Sequence, residues 1–196
     1  MKASLSEDKT YYLIGKDRFP RLSNVVTVEG PEFRTKKGQE EVLKETIEWG
    51  TKVHLITALD DQKKINEVIN IDLCKSLEVW RDWVEKYVKS FKAIEKIVWS
   101  KRLWVAGTVD RVGKIKGDKG YSIIDLKTGS LYEGIGIRLA GYKIMWEESQ
   151  KTKIDRLLAV RIPRNDPYNL QVKEYEANKY LKRFEECCEL YRSIHT

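Results

Sequence analysis

Cysteine is scarce in this chain. Its 196 residues include only Cys74, Cys187 and Cys188. Three thiols cannot pair completely, and the adjacent two are badly placed to bridge each other. A disulfide framework is therefore excluded, and a reducing compartment is expected. No zinc-ligand spacing is present. Three thiolates also fall short of the four that usually hold an iron–sulfur cluster, so no such cluster is expected. All three cysteines read as buried helix residues. Long apolar runs are missing as well. No segment is long enough to cross a bilayer, and the first residues lack the layout of a signal peptide. The expectation is an intracellular, cytoplasmic protein with no membrane partner. A Walker-type phosphate loop is absent too, so no helicase motor is encoded, and ATP-driven unwinding would need a recombination or helicase partner. There is no internal repeat, low-complexity tract or evident linker.

Charge and apolar residues are both plentiful. Hydrophobic residues make up 41% and charged residues 34%, the profile of a globular protein with a substantial core. Lysine and arginine number 37 against 30 acids, a net charge of +7 with a pI near 9.1. Such an excess favours a polyanionic partner, of which nucleic acid is the common one. Solubility alone is the other reading.

Tyr11 to Ile14 reads as a short strand, turned by the run from Gly15 to Pro20, with Ser23-Asn24 capping a brief helix. Helical patterning runs from Glu32 to Trp49. Gly50-Thr51 interrupts it, and a second helix carries His54 from about Lys52 to Leu59. A longer helix is expected from Ile71 to Val88, burying Leu73, Leu77, Trp80, Val84 and Tyr87 or Val88 as one stripe. Three strands follow, Phe91–Trp99, Arg102–Arg111 and Tyr121–Lys127, joined by short polar links that imply an antiparallel meander. Then come a helix, Glu133–Glu148, strands near Ile154–Ile162 and Leu170–Tyr175, and a last helix, Ala177–Ser193. The helix between the third and fourth strands permits a crossover and a mixed sheet. One α/β domain over residues 1–196 is the economical assignment: a helical part over about 1–90, a sheet core over about 91–175 and a closing helix over about 177–193.

The chemistry concentrates at two strands. Asp125 and Lys127 flank Leu126, and strand alternation points both to one face. The strand Trp104–Val109 leads into Asp110. Paired carboxylates offer the hard oxygen ligands that magnesium or manganese prefers, and the Leu126 carbonyl could add a third oxygen. Lys127 beside them could orient a water or stabilise negative charge. That combination suits phosphodiester hydrolysis, where a dication supplies both hydroxide and charge neutralisation. An acid–x–lysine triplet alone also describes an ordinary ion pair at a strand end. Gly107, inside the upstream strand, fits the close approach of another group.

The runs Gly107-Thr108-Val109-Asp110, Ile123-Ile124-Asp125-Leu126-Lys127-Thr128-Gly129 and Arg138-Leu139-Ala140-Gly141-Tyr142, with Gly50-Thr51-Lys52-Val53-His54 upstream, resemble the PD-(D/E)XK nuclease superfamily. Within it they are most similar to the RecB-type exonuclease branch, which includes small phage-encoded members. The resemblance implies a restriction-endonuclease-like α/β core, a mixed central β-sheet flanked by helices. It implies a metal site of His54, Asp110 and Asp125, with Asp110, Asp125 and Lys127 as the catalytic group. A histidine ligand tilts the choice from Mg2+ towards Mn2+. An acid is common in related nucleases where Glu95 stands, either supporting the ligands or touching a second metal; an ordinary solvated or paired sheet residue is the other reading. One departure is clear: Arg138 occupies the branch's glutamine position, while Tyr142 is retained. That helix borders DNA in the family, so Arg138 and Tyr142 are expected DNA contacts. His195, near the C-terminus, receives no role.

Basic residues crowd the same region of sequence, among them Lys101, Arg102, Arg111, Lys114, Lys116, Lys119 and Lys143. Arg111, Lys114 and Lys116 are taken as candidate DNA-backbone contacts. Trp99, Trp104 and Tyr132 are either stacking platforms for unpaired bases or packing residues. The functional expectation is a metal-dependent DNA exonuclease acting in recombination, repair or phage DNA processing, in the host cytoplasm if phage-encoded. A structure-selective endonuclease or nickase is an alternative on the same core. So is a catalytically inactive nucleic-acid-binding module, which the change at Arg138 leaves open. Digestion polarity, strand preference and oligomeric state have no signature in the sequence.

Overall fold

Three strands at the start of the chain pair where helix was expected to dominate. The computed structural model describes residues 2–27, 40–65 and 70–195. β1 (Ala3–Leu5), β2 (Tyr11–Ile14) and β3 (Asp17–Pro20) form a small antiparallel sheet. Its hairpin turns at Gly15, whose φ of +66° is one that glycine adopts without steric cost. Tyr12, Ile14 and Phe19 point into a shared apolar cluster with Ala106. The short helix α1 (Leu22–Val26) begins at Arg21, not at Ser23-Asn24, and has no side-chain cap.

α2 (Glu40–Asp61) is continuous through Gly50-Thr51, contrary to the expected break. The expected helical residues 32–39 lie outside those described. Glycine in a helix costs about 1 kcal/mol relative to alanine. Here it permits contact: a Cβ on Gly50 would lie 3.1 Å from Thr128 Oγ1. The missing methyl lets α2 press against the end of the central sheet. α3 (Ile71–Tyr87) is capped by Asn70, whose Oδ1 accepts from the amides of Asp72 and Leu73, both at 3.0 Å. Such a cap is worth about 1 kcal/mol. Leu77 and Trp80 are buried as the periodicity predicts, while Leu73 and Val84 are half-buried and Tyr87 is exposed. Trp83 and Val79 widen the stripe, and the Trp83 ring stacks on Trp80.

The central sheet contains β4 (Val88–Ser100), β5 (Val105–Ile115), β6 (Tyr121–Lys127), β7 (Ile154–Arg161) and β8 (Gln171–Tyr175), in that spatial order. β4, β5 and β6 form the expected meander. β7 returns parallel to β6 after α4 (Glu133–Gln150), and β8 pairs antiparallel with β7. This mixed sheet flanked by helices is a restriction-endonuclease-like core. α5 (Ala177–His195) packs its Tyr180, Phe184, Cys187 and Cys188 inward. Cys74, expected to be buried, is half-buried.

Each face of the sheet has its own core. Ile123 joins the layer holding α1, α4 and α5, whereas Ile124 and Leu126 join the layer holding Trp49, Val53 and Trp80 of α2 and α3. Alternation along β6 therefore places Asp125 on the α4 side. α4 is apolar on nearly every side because it lies between the sheet and α5. Gly136 and Gly141 make room for Tyr180 and Phe184: added Cβ atoms would sit 2.6 Å and 2.5 Å from those rings.

Candidate metal centre

β5 runs on to Ile115, so Asp110 lies in mid-strand and not at a strand end. Its neighbours are set by register. Ile94 pairs with Arg111 and Lys96 with Val109, which puts Glu95 opposite Asp110. On the other side Arg111 pairs with Ile124, so Asp125 is the next residue opposite Asp110. Glu95, Asp110 and Asp125 thus stand level on three adjacent strands. Like charges directly opposite each other are destabilising, and this is where the sheet opens. The β5–β6 ladder stops at Arg111–Ile124. Beyond it, the Leu126 amide donates to the side chain of Asp110, at 2.9 Å to Oδ2. Glu95 has φ +48°, a left-handed conformation uncommon for a residue with a side chain and costly inside a strand.

His54 of α2 faces the opening. Its buried neighbours Val53, Ile56 and Thr57 fix that turn of the helix, and His54 Nδ1 lies 3.4 Å from Asp110 Oδ2. One ligand atom each from His54, Glu95 and Asp110 lies within 4.8 Å of the others, a grouping that could hold a metal ion. Two carboxylates and an imidazole suit a hard or borderline dication. Electrostatics agree with this fit. Burial, then the charge of Asp110, pushes the Glu95 carboxyl up to about 7, against the pull of Arg111. Burial also works against ionisation of Asp110, but His54, Lys127, Arg111 and the Leu126 amide outweigh it and hold Asp110 below the usual carboxylate range. A cation between the two would relieve the repulsion that Glu95 registers.

Asp125 and Lys127 share a face and form an ion pair, and Lys127 Nζ also donates to the Leu126 carbonyl at 3.2 Å. The cluster contains Glu95 where the sequence placed Asp125. Asp125 stands beside it, engaged by the ammonium group, and the Leu126 carbonyl is occupied by the same lysine. Glu95 was singled out in sequence only as an accessory acid.

Arg111 is a correction. It is 0% exposed and cannot touch DNA. Nε donates to Asp61 at 2.6 Å, Nη1 to Glu95 and to the Asp110 carbonyl, both at 3.0 Å, and Nη2 to Thr57 at 3.1 Å. Its guanidinium also lies over the Trp80 ring, 5.5 Å from the centroid. The residue braces α2, α3 and the sheet behind the carboxylates. Lys114 and Lys116 are also remote from the opening: Lys114 lies four residues further along β5, about 13 Å at 3.3 Å per residue, and Lys116 lies just past the end of that strand. Lys114 lies over the Tyr121 ring, and Lys116 bonds the Glu85 carbonyl. Arg102 pairs with Glu148 and Glu185, and Lys143 with Glu147. Trp104 donates to the Arg18 carbonyl and Trp99 packs beside it in the N-terminal cluster, so both serve packing.

Arg138 and Tyr142 do border the site. With Glu95 and Asp110 they line a cavity of about 190 Å3, whose lining also includes Tyr12, Arg21, Ser23 and Thr108. Burial opposes the charge on Arg138, but Tyr142, Asp125 and Tyr132 outweigh it and raise its pKa further. Burial likewise raises Tyr142. Sequence reasoning missed the N-terminal wall. Nothing near Arg21 or Tyr12 marks either as a site residue, and the only hint was Thr108, inside the run that ends at Asp110. The Tyr12 hydroxyl meets Thr108 Oγ1 at 2.9 Å, and Arg21 bridges to Ala106.

No family model and no curated protein matches the chain. Among solved structures, one from Eubacterium rectale named "Putative exonuclease" is similar with a TM-score of 0.45 at 10% identity, over 88% of this chain and 72% of that one. Among the described residues, no helix is long and apolar enough to cross a membrane.

Proposed function

We propose that this chain is a metal-dependent deoxyribonuclease of the PD-(D/E)XK type, RecB-like branch, an exonuclease acting in DNA recombination, repair or phage DNA processing. The observation that carries the reading is the opened sheet. Three level carboxylates face an imidazole on one side and an ammonium group on the other. A protein has little structural reason to stack Glu95, Asp110 and Asp125 at the cost of broken ladder bonds and a left-handed glutamate. The arrangement is economical if a dication occupies the gap.

His54, Glu95 and Asp110 would hold that ion, with Asp125 adjacent. A divalent cation supplies a reactive water at neutral pH and neutralises charge developing on a phosphoryl oxygen. Lys127 keeps a positive donor beside Asp125, where it can orient the attacking water or meet the growing negative charge. Arg111 positions the ligands from beneath, gripping the Glu95 side chain and the Asp110 backbone together. The net charge of +7 favours a DNA partner held through its backbone.

The test is digestion of end-labelled linear, circular and single-stranded DNA with and without manganese. Metal-dependent loss of linear but not circular DNA supports an exonuclease. Cutting of circles would move the assignment to an endonuclease. Failure to cleave any of them with metal would sink the reading.

A further inference from the structure

Among the described residues three tyrosines are exposed: Tyr87, Tyr132 and Tyr168. Two have local reasons to be where they are. Tyr87 lies against the Trp83 ring, 6.0 Å between centroids. Tyr168 donates its hydroxyl to Glu78 at 3.2 Å. Tyr132 is 41% exposed, and among the described residues it has neither a ring partner nor a hydrogen bond through its hydroxyl.

Its surroundings are nonetheless tied down on every side. Tyr132 immediately precedes α4, and its carbonyl accepts from the Tyr175 hydroxyl at 3.1 Å. Upstream in the same link, Arg161 of β7 donates from Nε to the Gly129 carbonyl at 2.8 Å. Downstream, the Glu133 carboxylate accepts from the Tyr180 hydroxyl and, at 3.2 Å, from Lys179. The ring itself is seated. A Cβ on Gly134 would lie 2.7 Å from Tyr132 Cε2, so glycine there lets the ring lie against the first turn of α4. Ordering a link costs conformational entropy, and an apolar ring left in water gains nothing by burial. A fixed, exposed aromatic is suited to contact, because its large face is offered with little freedom left to lose.

Position selects the ligand. Residues 128–132 join β6, just after Lys127, to α4, which carries Arg138 and Tyr142 to the cavity of Glu95 and Asp110. Arg138 registers Asp125 and Tyr132 together, which places the phenol beside the carboxylates. A strand delivered to those carboxylates passes the ring. Bases inside a duplex are covered on both faces by their neighbours, so a protein ring can stack only on one that has left the stack. Every base has a π-face, which makes such a contact tolerant of sequence. Resting on the nuclease reading of the carboxylates, we propose that Tyr132 is a stacking platform for an unpaired base of the substrate strand, and that the substrate is DNA with a single-stranded or frayed end.

The probe is a labelled single-stranded oligonucleotide, bound to the full chain in EDTA so that nothing is cut, and followed by fluorescence anisotropy. Tyr132→Leu should bind it about tenfold more weakly, while Tyr132→Phe stays within about threefold of wild type. A relaxed, covalently closed duplex circle offers no free base, and all three proteins should bind it alike. Undiminished single-strand affinity in Tyr132→Leu overturns the platform, and so does an equal loss on the duplex. An abasic strand of the same length keeps the phosphates and lacks every base. Tyr132→Leu should lose nothing further on it, and a loss as large as on the intact strand counts against stacking. A thermal melt checks folding. Should Tyr132→Leu fail to fold, wild type decides: it should prefer the intact strand to the abasic one by about tenfold or more, and equal affinity refutes the proposal. Tyr132-dependent binding of single strands without any metal-dependent cleavage would remove the nuclease reading and leave the platform standing. Metal-dependent cleavage by a protein whose single-strand affinity ignores Tyr132 would do the reverse.

Discussion

Replacing Arg111 with methionine separates a structural brace from a DNA contact. The side chain is 0% exposed and its main partner, the Asp61 carboxylate, is 4% exposed. Four acceptors on α2 and the sheet converge on one guanidinium. Methionine preserves much of the volume but strands Asp61, already raised by burial even with Arg111 and Trp80 pulling it down. Removing one member of a buried pair costs about 3–5 kcal/mol, because the remaining charge must stay buried alone or take up a proton. That is a large share of the ~5–15 kcal/mol by which domains are stable. Urea denaturation at neutral pH should register the loss as a lower midpoint. The sign with pH follows from linkage. In the mutant the folded-state pKa of Asp61 moves further above its unfolded value, so the folded state binds the extra proton. The deficit then shrinks at acid pH and grows as pH rises through the raised folded-state pKa. Adding Asp61→Leu should return much of the lost stability, since a buried pair exchanged for apolar residues is often neutral. A loss below about 1 kcal/mol in Arg111→Met, with DNA affinity reduced instead, would show that the buried network is misread and that the surface role is correct.

Asp125→Ala and Lys127→Ala should each abolish cleavage while the purified protein still melts cooperatively, at a midpoint lowered by the loss of a buried ion pair, and full activity in either purified protein would exclude the proposed site. His54→Ala should weaken manganese binding about tenfold, as loss of one ligand or its support does, with DNA affinity little altered; an unchanged manganese isotherm would remove His54 from the ligand set. Glu95→Gln tests the repulsion in the metal-free protein. With its folded pKa raised to about 7, the Glu95 proton stabilises the fold below the unfolded value, and that contribution fades as pH rises towards and through 7. The side chain is 36% exposed, so after solvent screening the effect is about 1 kcal/mol. The difference in stability between wild type and Glu95→Gln should therefore change between pH 4.5 and 7, and a difference constant with pH would contradict the assigned environment.

Much of the architecture was legible in the sequence because local periodicity decides it. Alternation across Tyr121–Lys127 fixed the shared face of Asp125 and Lys127, and the helix after the third strand allowed the parallel return of β7. Gly50 misled because a glycine reads as a helix break when its tertiary reason is invisible. The reason is Thr128, 78 residues later, which needs the space a methyl would fill. Lys114 and Lys116 misled because nearness in sequence along a strand is distance in space: each residue moves about 3.3 Å away from the site.

Residue types and their spacing determined by themselves that this chain folds as an α/β protein with an acid–lysine pair on one strand and a second acid one strand earlier. Only the tertiary structure decided which charges meet. It brought Glu95 level with Asp110 through strand register, drew Arg111 inward to Asp61 from 50 residues away, and placed Arg21, at the start of α1, in the lining of the cavity. The physical reason is range. Side-chain direction follows from the local backbone, but the field around a charge is set by whatever the fold packs against it, and burial makes that field strong.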